Sequence, residues 1–405
     1  MLNFEQKGYF SEILEALGKT LDISKSQYEE VVKSYQAVGK LLSQEDSLLA
    51  PYTPEILPQG SWLIGTLTKN INDTDDIDVD LVCQLIGKQA DWTQKYLKQI
   101  VGDQIKSNKT YEAMLEEQDG RRCWTLNYSN SANYHMDILP SIVDSGYKLI
   151  LEKAFSAHEF EQVDKLAIRI TDKKRDDYDF ETNHLNWLKS NPFGYARWFI
   201  ARAMTSTDDF IVFKESVQPL PTYTEKKLPL QRAIQILKRH RDIMFDGDEN
   251  KPISIIITTL AAKAYNKETN ILDALMNIIS RMPQFIEDRY STEHGRNIKW
   301  VPNPVNEKEN FADKWAEKSI KDKNFYLWHD QVHQDLQKIL RQRGYKSIKE
   351  SIENPFGRDT VAKAFENLGE VSKRQREIGN LKVNPATGFL GAVGIPVKRH
   401  TFDGN

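Results

Sequence analysis

The string Ile77-Asp78-Val79-Asp80-Leu81-Val82-Cys83 sets two carboxylates one residue apart inside an apolar run. Side chains alternate faces along a strand, so Asp78 and Asp80 project together while Ile77, Val79 and Leu81 project into the opposite layer. Two acids about 6 to 7 Å apart repel each other, and a divalent cation between them turns that arrangement favourable. Hard oxygen ligands suit magnesium or manganese. An isolated Asp-x-Asp is most simply a polar strand face open to water. Here the strand continues into Leu81, Val82, Cys83 and Leu85, where unpaired carboxylates are costly. A third acid, Asp137, stands within a second apolar run, Tyr134-His135-Met136-Asp137-Ile138-Leu139-Pro140. Three acids from two strands can hold two metal ions about 3.5 to 4 Å apart, the arrangement used for in-line phosphoryl transfer. Register leaves an alternative, because Asp76 shares a face with Asp78, with Asp73 and Asp75 as loop neighbours. Asp78 and Asp80 are preferred, since flanking apolar residues fix the strand around them.

Upstream, Pro58-Gln59-Gly60-Ser61-Trp62 carries a Gly-Ser step at what reads as the start of a short helix. Glycine permits close backbone approach, and helix-start amides with a serine hydroxyl can hold phosphate oxygens. Most Gly-Ser pairs only make turns. Order makes this one informative: Gln59-Gly60-Ser61 precedes Asp78-x-Asp80, which precedes Asp137.

The elements that must position these residues follow from periodicity. Tyr28, Val31, Val32, Tyr35, Val38, Leu41 and Leu42 fall at helical spacing in residues 24–47, predicting one long amphipathic helix with a shorter one before it. Pro51, Pro54 and Pro58 then break helix, Ile77 to Leu85 reads as a strand, and Asp91 to Gln104 as a helix. Arg122 to Tyr128 and Tyr134 to Pro140 read as a hairpin across the turn-rich residues 129–133. After about residue 185 the pattern is helical: Asn186 to Met204, Leu230 to Phe245, Ile253 to Tyr265, Ile271 to Met282 and Asn324 to Arg343. Asn297 to Lys314, with Pro302 and Pro304, reads as an extended segment, and Phe356 to Asn367 as a further short helix. Residues 381–405 have no period and read as mobile.

A chain of 405 residues has room for two to three domains. No run approaches the ~20 apolar residues of a bilayer-spanning helix, and Glu5, Lys7, Glu12 and Glu15 deny the N-terminus the apolar core of a secretory signal. Cys83 and Cys123, the only two cysteines, read as buried thiols in a reducing compartment, with cytoplasm the expected location. Lys plus Arg number 55 against 58 Asp plus Glu, a balance that argues against long nucleic acid as an obligatory partner.

Joined by Leu230-Gln231-Arg232-Ala233-Ile234-Gln235-Ile236-Leu237-Lys238-Arg239-His240-Arg241-Asp242 and Lys251-Pro252-Ile253-Ser254, these motifs resemble the DNA polymerase β-like nucleotidyltransferases. Within that superfamily the chain is similar, over nearly its whole length, to the bacterial cGAS/DncV-like nucleotidyltransferases (CD-NTases). The resemblance implies an α+β fold, bilobed with a central cleft: a catalytic lobe with a mixed sheet and the long N-terminal helix over 1–185, an α-helical lobe over 186–380 and a flexible tail over 381–405. It implies Asp78, Asp80 and Asp137 as catalytic residues and ligands of two Mg²⁺ ions, with Mn²⁺ as a substitute. Gln59, Gly60 and Ser61 would bind the donor triphosphate, with Lys238 and Ser254 gripping it from the helical side. For Lys238, Arg239 and Arg241 the alternative is a solvated basic helix face. The implied reaction joins NTPs, ATP among them, with pyrophosphate release. A linear intermediate then closes to a cyclic dinucleotide or trinucleotide for a downstream effector in anti-phage (CBASS) signalling. Implied partners are an E1/E2-like or HORMA-type regulator encoded nearby, with the end His400-Thr401-Phe402-Asp403-Gly404-Asn405 as a site for conjugation.

Other features are read as structural. His329 and His333 lack the glutamate of His-Glu-x-x-His and read as a surface helix pair. Gly388, Gly391 and Gly394 do not make a dinucleotide loop. Lys173 to Asp177 reads as a solvated mixed-charge loop, and Trp187, Phe193, Tyr195, Trp198 and Phe199 as core aromatics. Two rivals stand beside the synthase reading: a nucleotidyltransferase that modifies a protein, drug or RNA end, and an inactive nucleotide-binding scaffold. The intact acids speak against the scaffold, the charge balance against RNA tailing, and the full helical lobe against small antibiotic-modifying forms.

Overall fold

Reciprocal side-chain caps open the first two helices. Asn3 and Gln6 cap α1 (Phe4–Thr20), and Ser24 and Gln27 cap α2 (Lys25–Ser43), each pair bonding the other's backbone amide, which satisfies two otherwise orphaned donors at each start. The computed structural model describes residues 2–69, 71, 77–128, 134–157, 160–206, 209, 223–384, 390–391 and 394–397. The chain forms two compact units, one of Ile23–Lys227 with Asn303–Glu309 and the other of Met1–Asp22, Leu228–Pro302 and Asn310–Asn405. This division differs from a boundary at 185: α1 belongs with the later helices, and residues 186–206 and 223–227 belong with the sheet.

The first unit continues from α2 through β1 (Glu55–Pro58), α3 (Gly60–Leu63), β2 (Ile77–Ile86), α4 (Gln94–Lys106), α5 (Lys109–Met114), β3 (Trp124–Tyr128) and β4 (Tyr134–Val143). It closes with α6 (Tyr147–Ser156), β5 (Ile168–Ile170), β6 (Leu188–Ser190) and α7 (Pro192–Ala203). Its six-stranded sheet is mixed, ordered β1-β2-β4-β5-β6 with β3 also on β4. Parallel β2 pairs with β4 along its whole length, from Ile77 with Tyr134 to Ile86 with Val143. The other edge of β4 is therefore shared: β3 takes its first half, antiparallel as the hairpin reading expects, and β5 pairs at Ser141 and Ile142. On one face Val79, Leu81, Met136 and Ile138, each at most 1% exposed, pack in one core with Val31, Val38 and Leu42 of α2 and Leu97, Val101 and Ile105 of α4. Trp187, Phe193, Tyr195 and Phe199 are buried, as core aromatics should be, while Trp198 is half-exposed.

The second unit is built on α8 (Pro229–Phe245), around which pack α1, α9 (Ser254–Ala264), α10 (Ile271–Arg281), α12 (Ser319–Leu340) and α13 (Tyr345–Phe356). Between α10 and α12 lie the hairpin β7 (Glu287–Ser291) and β8 (Arg296–Trp300), then α11 (Asp313–Glu317), and α14 (Arg358–Glu377) follows α13. Surrounded by helices, α8 buries its polar residues too. Arg232, 0% exposed, donates to Asp22 Oδ2 at 2.7 Å, the Gly18 carbonyl at 3.0 Å and Gln235 Oε1 at 2.9 Å, tying α8 to the end of α1. Gly18 is needed there, because a Cβ would lie 2.8 Å from Arg232 Cδ.

Several readings change here. The stretch from Asn297 to Lys314 holds strands, including Asn306–Asn310, and its hairpin with β7 escapes notice because β7 alternates no apolar face. The last helix runs 20 residues instead of about a dozen. His329 is buried, its Nε2 2.7 Å from the Ile279 carbonyl, while half-exposed His333 pairs with Gln337. The mobile-tail expectation and the conjugation site fall mostly outside the described residues, and Lys382–Val383 pairs with Leu390–Gly391 and Ile395–Pro396.

The mixed-charge run Lys173 to Asp177 is a turn with Lys173, Lys174 and Asp176 exposed, as a solvated loop should be. Just before it, Asp172, 1% exposed, receives Arg121 Nε at 2.5 Å, Arg121 Nη2 at 2.6 Å and Arg122 Nε at 3.0 Å, clamping the start of β3 to the end of β5. Burial raises the Asp172 pKa, but the hydrogen bonds from Arg121, Lys174 N and Arg122 outweigh it and hold the carboxyl below its usual range. A depressed folded pKa contributes stability that is complete above the unfolded value of about 3.9 and is lost as pH falls through the folded value. Asp172→Asn should therefore cost about 2 kcal/mol at neutral pH, a difference that shrinks below about pH 4 in urea melts.

Candidate active site

The parallel ladder sets Asp78 opposite His135 and Asp80 opposite Asp137. In-register neighbours in a sheet point the same way, so all four side chains share the face opposite the core. Burial agrees: Asp78 is exposed and Asp80, His135 and Asp137 are half-buried, between fully buried Val79, Leu81, Met136 and Ile138. The acid face is open only at this end of the sheet. Two residues on, Val82 and Leu139 are buried, then Gln84 and Ser141. Asp78 and Asp80 both lie on β2, which begins at Ile77; Asp76, the member of the alternative pair, lies with Asp73 and Asp75 outside the described residues.

The Gly-Ser step meets this face from β1. The Gln59 amide donates to the Asp80 carbonyl at 2.9 Å, and Gly60 follows at φ +62°, opening the four-residue α3. A Cβ on Gly60 would collide with Asp80 Oδ2 and sit 3.1 Å from its Cγ. Glycine is required twice over, by the left-handed backbone and by the carboxylate against it. Ser61, half-buried, is the next residue.

Periodicity finds β3 but gives its residues no role. Thr125 and Asn127 face the directly opposed residues of β4, Thr125 Oγ1 donating to Asp137 Oδ1 at 2.5 Å and Asn127 Oδ1 lying 2.6 Å from His135 Nδ1. Alternation in Trp124-Thr125-Leu126-Asn127, buried on the odd-numbered partner's opposite side at Trp124 and Leu126, was the available signal. Cys123 reports on the same corner: burial, then the nearby charges of Asp137 and Asp80, push its thiol up to about 12.

In the helical unit, Lys238, Arg239 and Arg241 are buried, which overturns the solvated-face alternative. Arg241 Nη1 donates to Ser254 Oγ at 3.0 Å and to the Pro252 carbonyl at 2.9 Å, and its other nitrogens reach Asp242. Ser254 is the first residue of α9 and half-exposed, so its hydroxyl accepts from Arg241 and keeps its own proton to donate. Lys238 lies one turn before Arg241 on the same side of α8.

The carboxylates are hard donors of the type magnesium takes. Among the described residues, no three His, Cys, Asp or Glu side chains converge into a ready metal cage. Magnesium seldom needs one, being held by one or two carboxylates together with substrate phosphates and water. The donor set therefore fits an ion that arrives with a triphosphate.

Residues 54–140, which span Gly60 to Asp137, match the family model for the cyclic GMP-AMP synthase DncV-like nucleotidyltransferase domain. Over 410 aligned positions, covering 100% of both chains, the sequence is 30% identical to a c-di-GMP synthase of Roseivirga ehrenbergii. It is 23% identical to the cyclic dinucleotide synthase CdnG of Bradyrhizobium diazoefficiens, over 94% of this chain and 90% of that one. The solved structure of the Bradyrhizobium diazoefficiens CD-NTase CdnG in complex with GTP is similar in fold, with a TM-score of 0.64 at 18% identity, covering 89% of this chain and 99% of that one. Full-length likeness at this level places the chain in the cGAS/DncV-like family: it is a CD-NTase, a nucleotidyltransferase enzyme.

Proposed function

We propose that the chain joins two nucleoside triphosphates, GTP among them, into a cyclic dinucleotide that serves as a messenger to an effector in anti-phage (CBASS) signalling. The observation that carries the chemistry is Asp80 in register with Asp137, with Gly60 laid against the Asp80 carboxylate. The full-length relative that is a c-di-GMP synthase supports the choice of guanine and of a two-nucleotide ring.

In this reading Asp78, Asp80 and Asp137 hold two Mg²⁺ ions, or Mn²⁺ in their place. Bound there, the ions would lower the pKa of the acceptor ribose hydroxyl and offset charge on the α-phosphate and the leaving pyrophosphate. The Gly60-Ser61 step presents a backbone free of any Cβ and a hydroxyl to phosphate oxygens. Lys238 and Ser254, in the helical unit, offer an ammonium and a hydroxyl donor of the kind that phosphate oxygens take. The acceptor hydroxyl gives up its proton to water, its oxygen bonds to the α-phosphorus, the bond from that phosphorus to the bridging oxygen breaks, and pyrophosphate leaves with the electron pair. A second transfer of the same kind closes the ring.

Purified protein given each labelled NTP singly and all four together, with Mg²⁺, should convert GTP to a phosphatase-resistant product with the mass of a cyclic dinucleotide, and EDTA should abolish it. A labelled macromolecule would instead favour the modifying rival, and an enzyme that consumes only ATP would refute the guanine assignment. Asp80→Asn should cut turnover about a thousandfold, some 4 kcal/mol of transition-state stabilisation, with an unchanged melting curve. Unaltered turnover in that variant would sink the site. Gly60→Ala should lower kcat about a hundredfold by displacing the Asp80 carboxylate and should also lower Tm, since alanine resists the left-handed backbone.

A further inference from the structure

We infer that Thr125 is a positioning residue for Asp137, and that β3 serves the reaction as the strut that aims the third carboxylate. The inference rests on the reading above of Asp137 as a metal ligand, and assigns a role to a strand that reading leaves out.

Thr125 and Asp137 are directly opposed in the antiparallel ladder, and the hydroxyl donates to Oδ1 at 2.5 Å. With Oδ1 engaged, the plane of the carboxyl group is fixed and Oδ2 has one direction. Threonine suits the task, because its β-branch restricts χ1 in a strand and holds the hydroxyl still. Cross-strand hydrogen bonds of this kind contribute little to a fold. Partners that orient a metal-binding side chain matter more, typically 10 to 100-fold in metal affinity or activity.

The strut is itself held from several sides. The Glu116 amide donates to the Thr125 carbonyl at 3.1 Å, from the edge of β3 opposite β4. One residue back, Trp124 Nε1 donates to the Lys98 carbonyl at 2.8 Å, and buried Lys98 Nζ lies 3.3 Å from the Cys123 carbonyl. Before those, Arg121 and Arg122 are clamped by Asp172. Two residues on, Asn127 repeats the arrangement on His135. Independent restraints thus hold a five-residue strand on both sides of Thr125.

The test compares Thr125→Val, which keeps the shape and removes the donor, with Thr125→Ser, which keeps the donor and removes the methyl group. Mn²⁺ binding is followed by the further loss of EPR signal when protein is added to Mn²⁺ with a non-hydrolysable GTP analogue, against the same mixture without protein, and initial rates are measured against Mg²⁺ concentration. Thr125→Val should bind Mn²⁺ about 10 to 100-fold more weakly and need correspondingly more Mg²⁺, with its melting curve nearly unchanged, while Thr125→Ser stays near wild type in both. Wild-type Mn²⁺ affinity in Thr125→Val overturns the inference, and so does a Thr125→Ser variant that fails equally, since methyl packing would then be the cause. Should Thr125→Val not fold, Thr125→Cys takes its place as the variant lacking a strong donor. Asp137→Asn separates the two layers of argument. Binding lost in Asp137→Asn but kept in Thr125→Val refutes the strut alone, whereas wild-type protein that binds no Mn²⁺ refutes the metal site and the strut with it.

Discussion

The site depends on the parallel register of β2 against β4. That ladder places Asp80 beside Asp137 while sending Val79, Leu81, Met136 and Ile138 into the core. Two carboxylates about 5 Å apart near a protein surface repel by roughly 1 to 3 kcal/mol at effective dielectric constants of 80 to 20. The four opposing side chains each gain roughly 1.5 to 3 kcal/mol on burial. The apolar face therefore wins and holds the acids together against their repulsion. A slip of one residue would exchange the faces, burying the acids and exposing the apolar set, so the core specifies the active face without any contact to it.

From that ladder the dependencies run outward. Gly60 lies against Asp80 because β1 is registered on β2, Pro58 opposite Leu81, and delivers the next residues to the carboxylate. Thr125 meets Asp137 because β3 occupies the half of β4 that β5 leaves free. The Asp172 clamp lies far from the acids in sequence, yet it joins the two strands that share this edge. Its two arginines are half-exposed and its carboxylate buried, which makes the carboxylate the member whose loss the fold would register.

Much of this was readable from one chain of letters, and the reason is period. Alternation over Ile77 to Leu81 and Tyr134 to Ile138 assigns each acid to a face before any pairing is known. What alternation cannot show is which strands pair and in what register, so the in-line placement of Asp80 and Asp137 needed coordinates. Thr125 and Asn127 carried the same period-two signal, but hydroxyl and amide side chains on a strand are too common to attract a role unaided. The helical unit was harder. Lys238-Arg239-His240-Arg241 has the composition of a solvent face and is buried, because helices pack around α8 on more sides than an amphipathic stripe predicts. The charged hairpin of β7 and β8 was invisible for the opposite reason: its strands bury almost nothing, and a pattern of burial is what sequence reading detects.

Those buried cations bear on why Ser254 belongs in the proposal. Asp242 receives both Arg241 and Lys251, the latter at 3.1 Å. Burial alone would raise its pKa, yet Arg241 and Lys251 hold it below the usual carboxylate range, so it remains an anion shared between two cations. The cluster keeps an excess of positive charge. Arg241 carries that excess to the Ser254 hydroxyl, at the end of α9 where the helix dipole is also positive. An anion approaching Ser254 thus meets a hydroxyl donor backed by a guanidinium and a helix start, all fixed before it arrives. Preorganised donors cost no reorganisation when charge appears, and a triphosphate that sheds pyrophosphate is the kind of ligand whose charge shifts during reaction.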